Sequence, residues 1–145
     1  MEKATILKKE NYLSLIKNSA GSQAWRDAYG LINNSKKNLT QKGDLSCAYF
    51  VSSILKIFDL IKNLHLTVDG AANDLKNSGW KKISQKKIAA GDVIVWQKKN
   101  NHQHIGFYLG RDRAVSNDSK TRKIKSHHYT FGSRRKIETV WRHKI

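Results

Sequence analysis

The hydrophobic pattern of this chain changes period about two-thirds of the way along, and that change limits the fold more than any other feature. Between Ser46 and Ile61 the apolar residues Phe50, Val51, Ile54, Leu55, Ile57, Phe58 and Ile61 recur every three or four positions. That spacing predicts a helix with one broad apolar face. Past the turn signal Gly91-Asp92, the run Val93-Ile94-Val95-Trp96 reads as a short strand. Ile105, Phe107 and Leu109 then alternate with His104, Gly106 and Tyr108, which is strand periodicity. Helices first and antiparallel strands after them make an α+β chain, with N-terminal helices packed on a C-terminal antiparallel sheet.

The remaining elements fill this frame. Tyr12, Leu13, Leu15 and Ile16 predict a helix after Glu10, and a second short helix is expected from Ser22 to Ile32. The polar stretch from Asn33 to Lys42 reads as a loop. Ser46 can cap the long helix. A further helix fits Thr67 to Ser78, with Thr67 as N-cap and Gly79 just past the end. Gly110-Arg111-Asp112 turns the chain into a strand from Arg113 to Asn117, and Lys136 to Trp141 reads as the last strand. Trp25, Trp80, Trp96 and Trp141 are expected as core or groove walls, and Asp92 as a turn former. A chain of 145 residues is one domain's length, so residues 1–145 are expected to fold as one unit, as a monomer.

Charge and cysteine count narrow the chemistry. Lys and Arg total 28 against 11 Asp and Glu, a net charge of +17. Such a balance predicts an anionic partner: nucleic acid, anionic lipid or anionic cell-wall polymer. No run approaches the ~18 apolar residues of a membrane span. The N-terminus lacks the apolar stretch of a signal peptide, so the expected location is cytoplasmic, with export by another route as the alternative. The one cysteine, Cys47, excludes an internal disulfide framework and any multi-cysteine zinc site.

Cys47 falls at the start of the long helix. The positive end of the helix dipole favours a thiolate there, although a lone cysteine is more often an inert core residue. His104 lies on the face of its strand opposite Ile105 and Phe107, and Gly106 beside it leaves room for close approach of another group. His102 and His104 have no third ligand at motif spacing, so no metal is expected. A thiol at a helix start and an imidazole on a later strand are the parts of a cysteine nucleophile and its base. A third residue should orient the imidazole from the next strand, where Ser116, Asn117 and Asp118 stand. Asn117 is preferred, because an amide oxygen fixes a tautomer without adding charge. The residues His127-His128, Tyr129 and Phe131 read as a loop tucked against the sheet by its aromatics.

These residues carry a resemblance. Asp44-Leu45-Ser46-Cys47-Ala48-Tyr49-Phe50-Val51 resembles the cysteine motif of the NlpC-type cell-wall peptidases and of the related CHAP amidohydrolases. Gly91-Asp92-Val93-Ile94-Val95-Trp96, followed by His104-Ile105-Gly106-Phe107-Tyr108-Leu109-Gly110, is similar to their second block. The resemblance covers Asp44 to about Ser119. It implies a papain-like NlpC/CHAP fold, with a helical part over 1–43, core motifs over 44–119 and a closing loop and strand over 120–145. It implies a cysteine peptidase or amidase with Cys47, His104 and Asn117 as its triad, no cofactor, and a peptide or amide bond of peptidoglycan as substrate. The family usually reads Asp-Cys-Ser-Gly at the cysteine and often has a histidine in third place. Here counting along the strand puts Ser116 at that place. Gln41, six residues before Cys47, has the spacing of a papain-like oxyanion glutamine. Two other readings remain. One is a weak or silent domain of the same fold that binds an anionic polymer; nucleic acid ranks lower there, because the lysines are scattered and no stacking-aromatic motif occurs. The other is acyl or amide chemistry on a cytoplasmic small molecule.

Overall fold

The helices begin and end where local backbone chemistry allows. The computed structural model describes residues 2–145. Helix α1 (Lys8–Asn18) buries Tyr12 and Ile16, and the Tyr12 hydroxyl donates to the Gly91 carbonyl at 2.8 Å. Helix α2 (Cys47–Ile57) buries Ala48, Phe50, Val51, Ser52, Ile54 and Leu55. It stops a turn earlier than its apolar pattern predicts. Asp59 adopts a left-handed φ of 56°, Asp59 N–H bonds Lys56 O at 3.1 Å, and Leu60 N–H bonds Leu55 O at 2.9 Å. That is a Schellman stop with Asp in place of the usual Gly. Helix α3 (Val68–Asn77) starts as expected: the Thr67 side chain accepts from Gly70 N–H. It ends as expected too, with Gly79 left-handed and Trp80 N–H bonded to Leu75 O at 3.0 Å.

The segment expected as a helix from Ser22 to Ile32 is not one. It holds turns and then β1 (Tyr29–Ile32), which pairs with β2 (Ser35–Asn38) inside the stretch expected as loop. Asn33 and Asn34, both at positive φ, link the strands. Two consecutive positive-φ residues are the type I′ requirement, and asparagine tolerates it well. Asn100-Asn101 and Arg111-Asp112 repeat the device in the main sheet.

That sheet contains β3 (Lys81–Ile83), β4 (Val93–Lys99), β5 (His102–Gly110), β6 (Arg113–Asp118), β7 (Lys123–His128) and β8 (Ile137–Arg142). Their order is β3-β8-β4-β5-β6-β7, and every neighbouring pair is antiparallel. The fold is therefore α+β, as expected. One sheet face is covered by helices: Val93, Val95, Ile105, Phe107 and Val115 pack against α1, α2 and α3. Phe107 stacks edge-on against both Tyr12 and Phe50. The other face carries Ile94, Trp96, Tyr108 and Ala114 under Tyr129, Phe131 and Ile137. Tyr129 and Phe131 after β7 are tucked in as expected, but His127 and His128 belong to the strand and not to the loop; Trp96 Nε1–H donates to the Tyr129 carbonyl at 2.8 Å.

Two buried carboxylates lock the periphery. Asp74 accepts from Lys62 N–H, Asn63 N–H and the Ser78 hydroxyl, and meets His65 Nε2 at 2.6 Å. These bonds hold its carboxyl down at about 2 although burial opposes the charge. Asp92 does more than form a turn: it accepts from Ala89 N–H and takes a two-pronged grip from Arg142.

Candidate active site

Cys47 is the first residue of α2, so the helix start aims its peptide N–H groups at the thiol. Ser46 sits at the N-cap, but its hydroxyl makes no capping bond and is buried without a partner. The backbone N–H groups of Ile105, Ala48 and Cys47 itself lie toward the sulfur, and the positive charge of Arg135 acts on it. All of these favour a thiolate. Burial outweighs them and pushes the Cys47 thiol up. The dipole-lowered thiol expected from helix position is thus corrected: at rest the group is a neutral thiol.

His104 projects from β5 into the same cleft as Cys47. The cleft has a volume of about 610 Å³ and reaches from Cys47 and Leu66 to Lys98, Phe131 and Arg135. The His104 ring lies against Trp96, with centroids 5.2 Å apart. Burial, with the positive field of Arg135, pushes the imidazole down to about 3. Cys47 and His104 are therefore both neutral at neutral pH.

The partner of His104 is Ser116. Its Oγ lies 2.8 Å from His104 Nε2. Asn117, preferred on chemistry, points elsewhere: its amide donates to the Gly43 carbonyl at 2.8 Å and braces the loop that leads into α2. Asp118 accepts from Thr121 N–H and the Thr121 hydroxyl. The reason is strand alternation. Ala114 and Ser116 share the Trp96 face of the sheet, while Val115 faces the helices and Asn117 is anchored to the Gly43 loop. Gly106 makes the approach of β6 feasible. A Cβ there would stand 2.7 Å from both Ser116 Cβ and the Val115 carbonyl oxygen, and 3.1 Å from the Trp96 ring. Gln41 is exposed, left-handed, and absent from the cleft lining.

Sequence reading missed one contact. His127 Nε2 lies 2.6 Å from Ser116 Oγ, and its Nδ1 lies 2.8 Å from the His128 carbonyl oxygen. Its ring stacks on Phe131 at 4.1 Å. In the β6–β7 register Ala114 pairs with His127 and Ser116 with Lys125, so His127 is a diagonal neighbour of Ser116 on one face. Only that register would have exposed it in advance.

A cysteine at a helix start sharing a cleft with a strand histidine, on this α+β frame, defines the papain-like cysteine peptidase class. The NlpC/P60 family model matches residues 7–141, and the chain belongs to that family. The structure of NlpC2 from Trichomonas vaginalis is similar in fold, with a TM-score of 0.61 at 15% identity. The match covers 98% of this chain and 49% of that one, so this chain spans about half the length of that relative. Among curated proteins, none matches.

Proposed function

We propose that the protein is a cysteine hydrolase of the peptidase or amidase kind, acting on peptide or amide bonds of peptidoglycan. The observation that carries this reading is the His104–Ser116 bond in a cleft that Cys47 also lines. A half-buried imidazole with one nitrogen tied and the other available is built for proton transfer.

The chemistry follows from the neutral pair. His104 takes the thiol proton on Nδ1 as the Cys47 sulfur attacks the substrate carbonyl carbon. The C–S bond forms, and the carbonyl electron pair moves onto oxygen. Backbone N–H groups at the start of α2 are the donors for that oxyanion. The tetrahedral species collapses, the C–N bond breaks, and the leaving amine takes its proton from His104. Water, deprotonated by His104, then attacks the thioester and releases the acid and the free thiol.

The family points to wall peptides, and the +17 net charge favours an anionic polymer by raising its local concentration. The cleft itself carries both signs, with Lys98, Lys99, Lys120 and Arg135 facing Asp44, Asp69 and Asp118. Digestion of purified muropeptides, followed by mass spectrometry, tests the assignment. Wild type should release peptide fragments bearing one new amine and one new carboxyl each, and Cys47→Ala none. Intact muropeptides with both proteins would overturn it. Salt-sensitive polymer binding without hydrolysis would then favour a silent binding domain.

A further inference from the structure

We propose that His127 is a positioning residue for this site: acting through Ser116, it sets the tautomer of His104 and leaves the Nδ1 lone pair free. The turnover part of this proposal rests on the hydrolase reading above; the tautomer part does not.

One chain of contacts fixes where each proton sits. A carbonyl oxygen can only accept, so His127 Nδ1, 2.8 Å from the His128 carbonyl, carries a hydrogen. Burial and the charges of Arg113 and Lys125 keep this ring neutral, against the weaker pull of the His128 carbonyl and Asp118. Its Nε2 is therefore bare. Ser116 Oγ lies 2.6 Å from that nitrogen and must donate to it. A hydroxyl has one proton, so Ser116 offers only lone pairs to His104. His104 Nε2, 2.8 Å away, must then carry the ring hydrogen. A neutral imidazole has one, which leaves Nδ1 as the base.

Without His127 the order of donors is lost. The Ser116 proton could swing to His104 Nε2 and hold the ring as the Nδ1–H tautomer. That form has no lone pair at Nδ1 for a thiol proton. A histidine in third place would orient the base by one contact. Here a serine stands there, and a hydroxyl rotates freely unless a second acceptor fixes it. His127 is that acceptor. Its own ring is held by the stack on Phe131 and by Trp96, whose ring centre lies 5.8 Å away.

The test uses the full chain with nitrogen-15 labelled histidine, in which long-range NMR spectra show which ring nitrogen bears hydrogen. Wild type at neutral pH should show His104 as the Nε2–H form and His127 as the Nδ1–H form. His127→Phe keeps the stack on Phe131 and removes the acceptor. It should populate the Nδ1–H form of His104 and lower kcat roughly ten- to a hundredfold, part of the ~10²–10⁴ that general-base catalysis supplies, with KM little changed. His127→Gln places an amide oxygen within reach of Ser116 and should restore most of both. Wild-type His104 in the Nδ1–H form overturns the proposal, even if no variant folds. So does His127→Phe with tautomer and kcat unchanged. Tautomers that shift as expected in a protein that cleaves no muropeptide would sink the hydrolase reading and leave the positioning role standing.

Discussion

Gly106→Ala should damage the site and the fold together, and the size of the effect can be worked from contacts. Gly106 lies in regular strand backbone, so the cost is steric. The new methyl would stand 2.7 Å from Ser116 Cβ and from the Val115 oxygen, where ordinary contact begins near 3.4 Å. Strand β6 must retreat by about 0.7 Å, or β5 must. A retreat of that size along the contact stretches the 2.8 Å bond from Ser116 to His104 to about 3.5 Å, outside the ~2.7–3.2 Å range of a real hydrogen bond. Overpacking of this kind costs about 1–3 kcal/mol. For a chain of this size that is a fall in Tm of roughly 3–10 °C. Turnover should drop by about one to three decades, because His104 loses its orienting contact. Thermal melting and muropeptide digestion measure the two effects on one preparation. A variant that melts within about 1 °C of wild type and keeps full turnover would refute the claim that Gly106 is there to admit Ser116.

Other outcomes follow from the same structure. Ser116→Ala should lower turnover by about one to three decades, whereas Asn117→Ala should cost about 1 kcal/mol of stability for its bond to Gly43 and leave turnover within about tenfold; equal effects in parallel assays would contradict the assignment. Asp74, held at about 2 against an ordinary 3.8, contributes about 2 kcal/mol of stability that is present above its unfolded value and is lost as pH falls through 2. Urea melts from pH 7 to pH 2 should therefore show a drop that Asp74→Asn lacks. Binding of anionic wall polymer should weaken steeply as salt rises, with log affinity linear in log salt; a flat response in a sedimentation assay would remove charge from the account.

The parts of this fold that were legible are those in which local chemistry and tertiary packing agree. The apolar stripe of α2, the Thr67 cap and the Gly79 stop of α3, and the alternation around Ile105 all carry their own signal. The hairpin at Asn33-Asn34 was hidden, because two asparagines among lysines look like any polar loop until their φ angles are known. The end of α2 was hidden for a similar reason, since Asp59 does the work usually given to Gly. Cys47 and His104 stand out in the sequence because each occupies a position that its element makes special. Ser116 is visible by counting, but amide chemistry favours Asn117 until the structure shows that amide bracing the loop at Gly43. His127 depends on a strand register that no local pattern encodes.

The central claim is that Cys47 is a half-buried neutral thiol that reacts through His104. The direct measurement is the rate of alkylation of Cys47 by iodoacetamide across pH, in wild type and in His104→Ala. The account predicts a wild-type rate that climbs through neutral pH without a plateau below about pH 8.5, the ordinary cysteine value, since burial pushes the thiol up. It also predicts that His104→Ala slows modification at pH 7 by about tenfold or more, because the proton acceptor is gone. Superimposable profiles for the two proteins would contradict it.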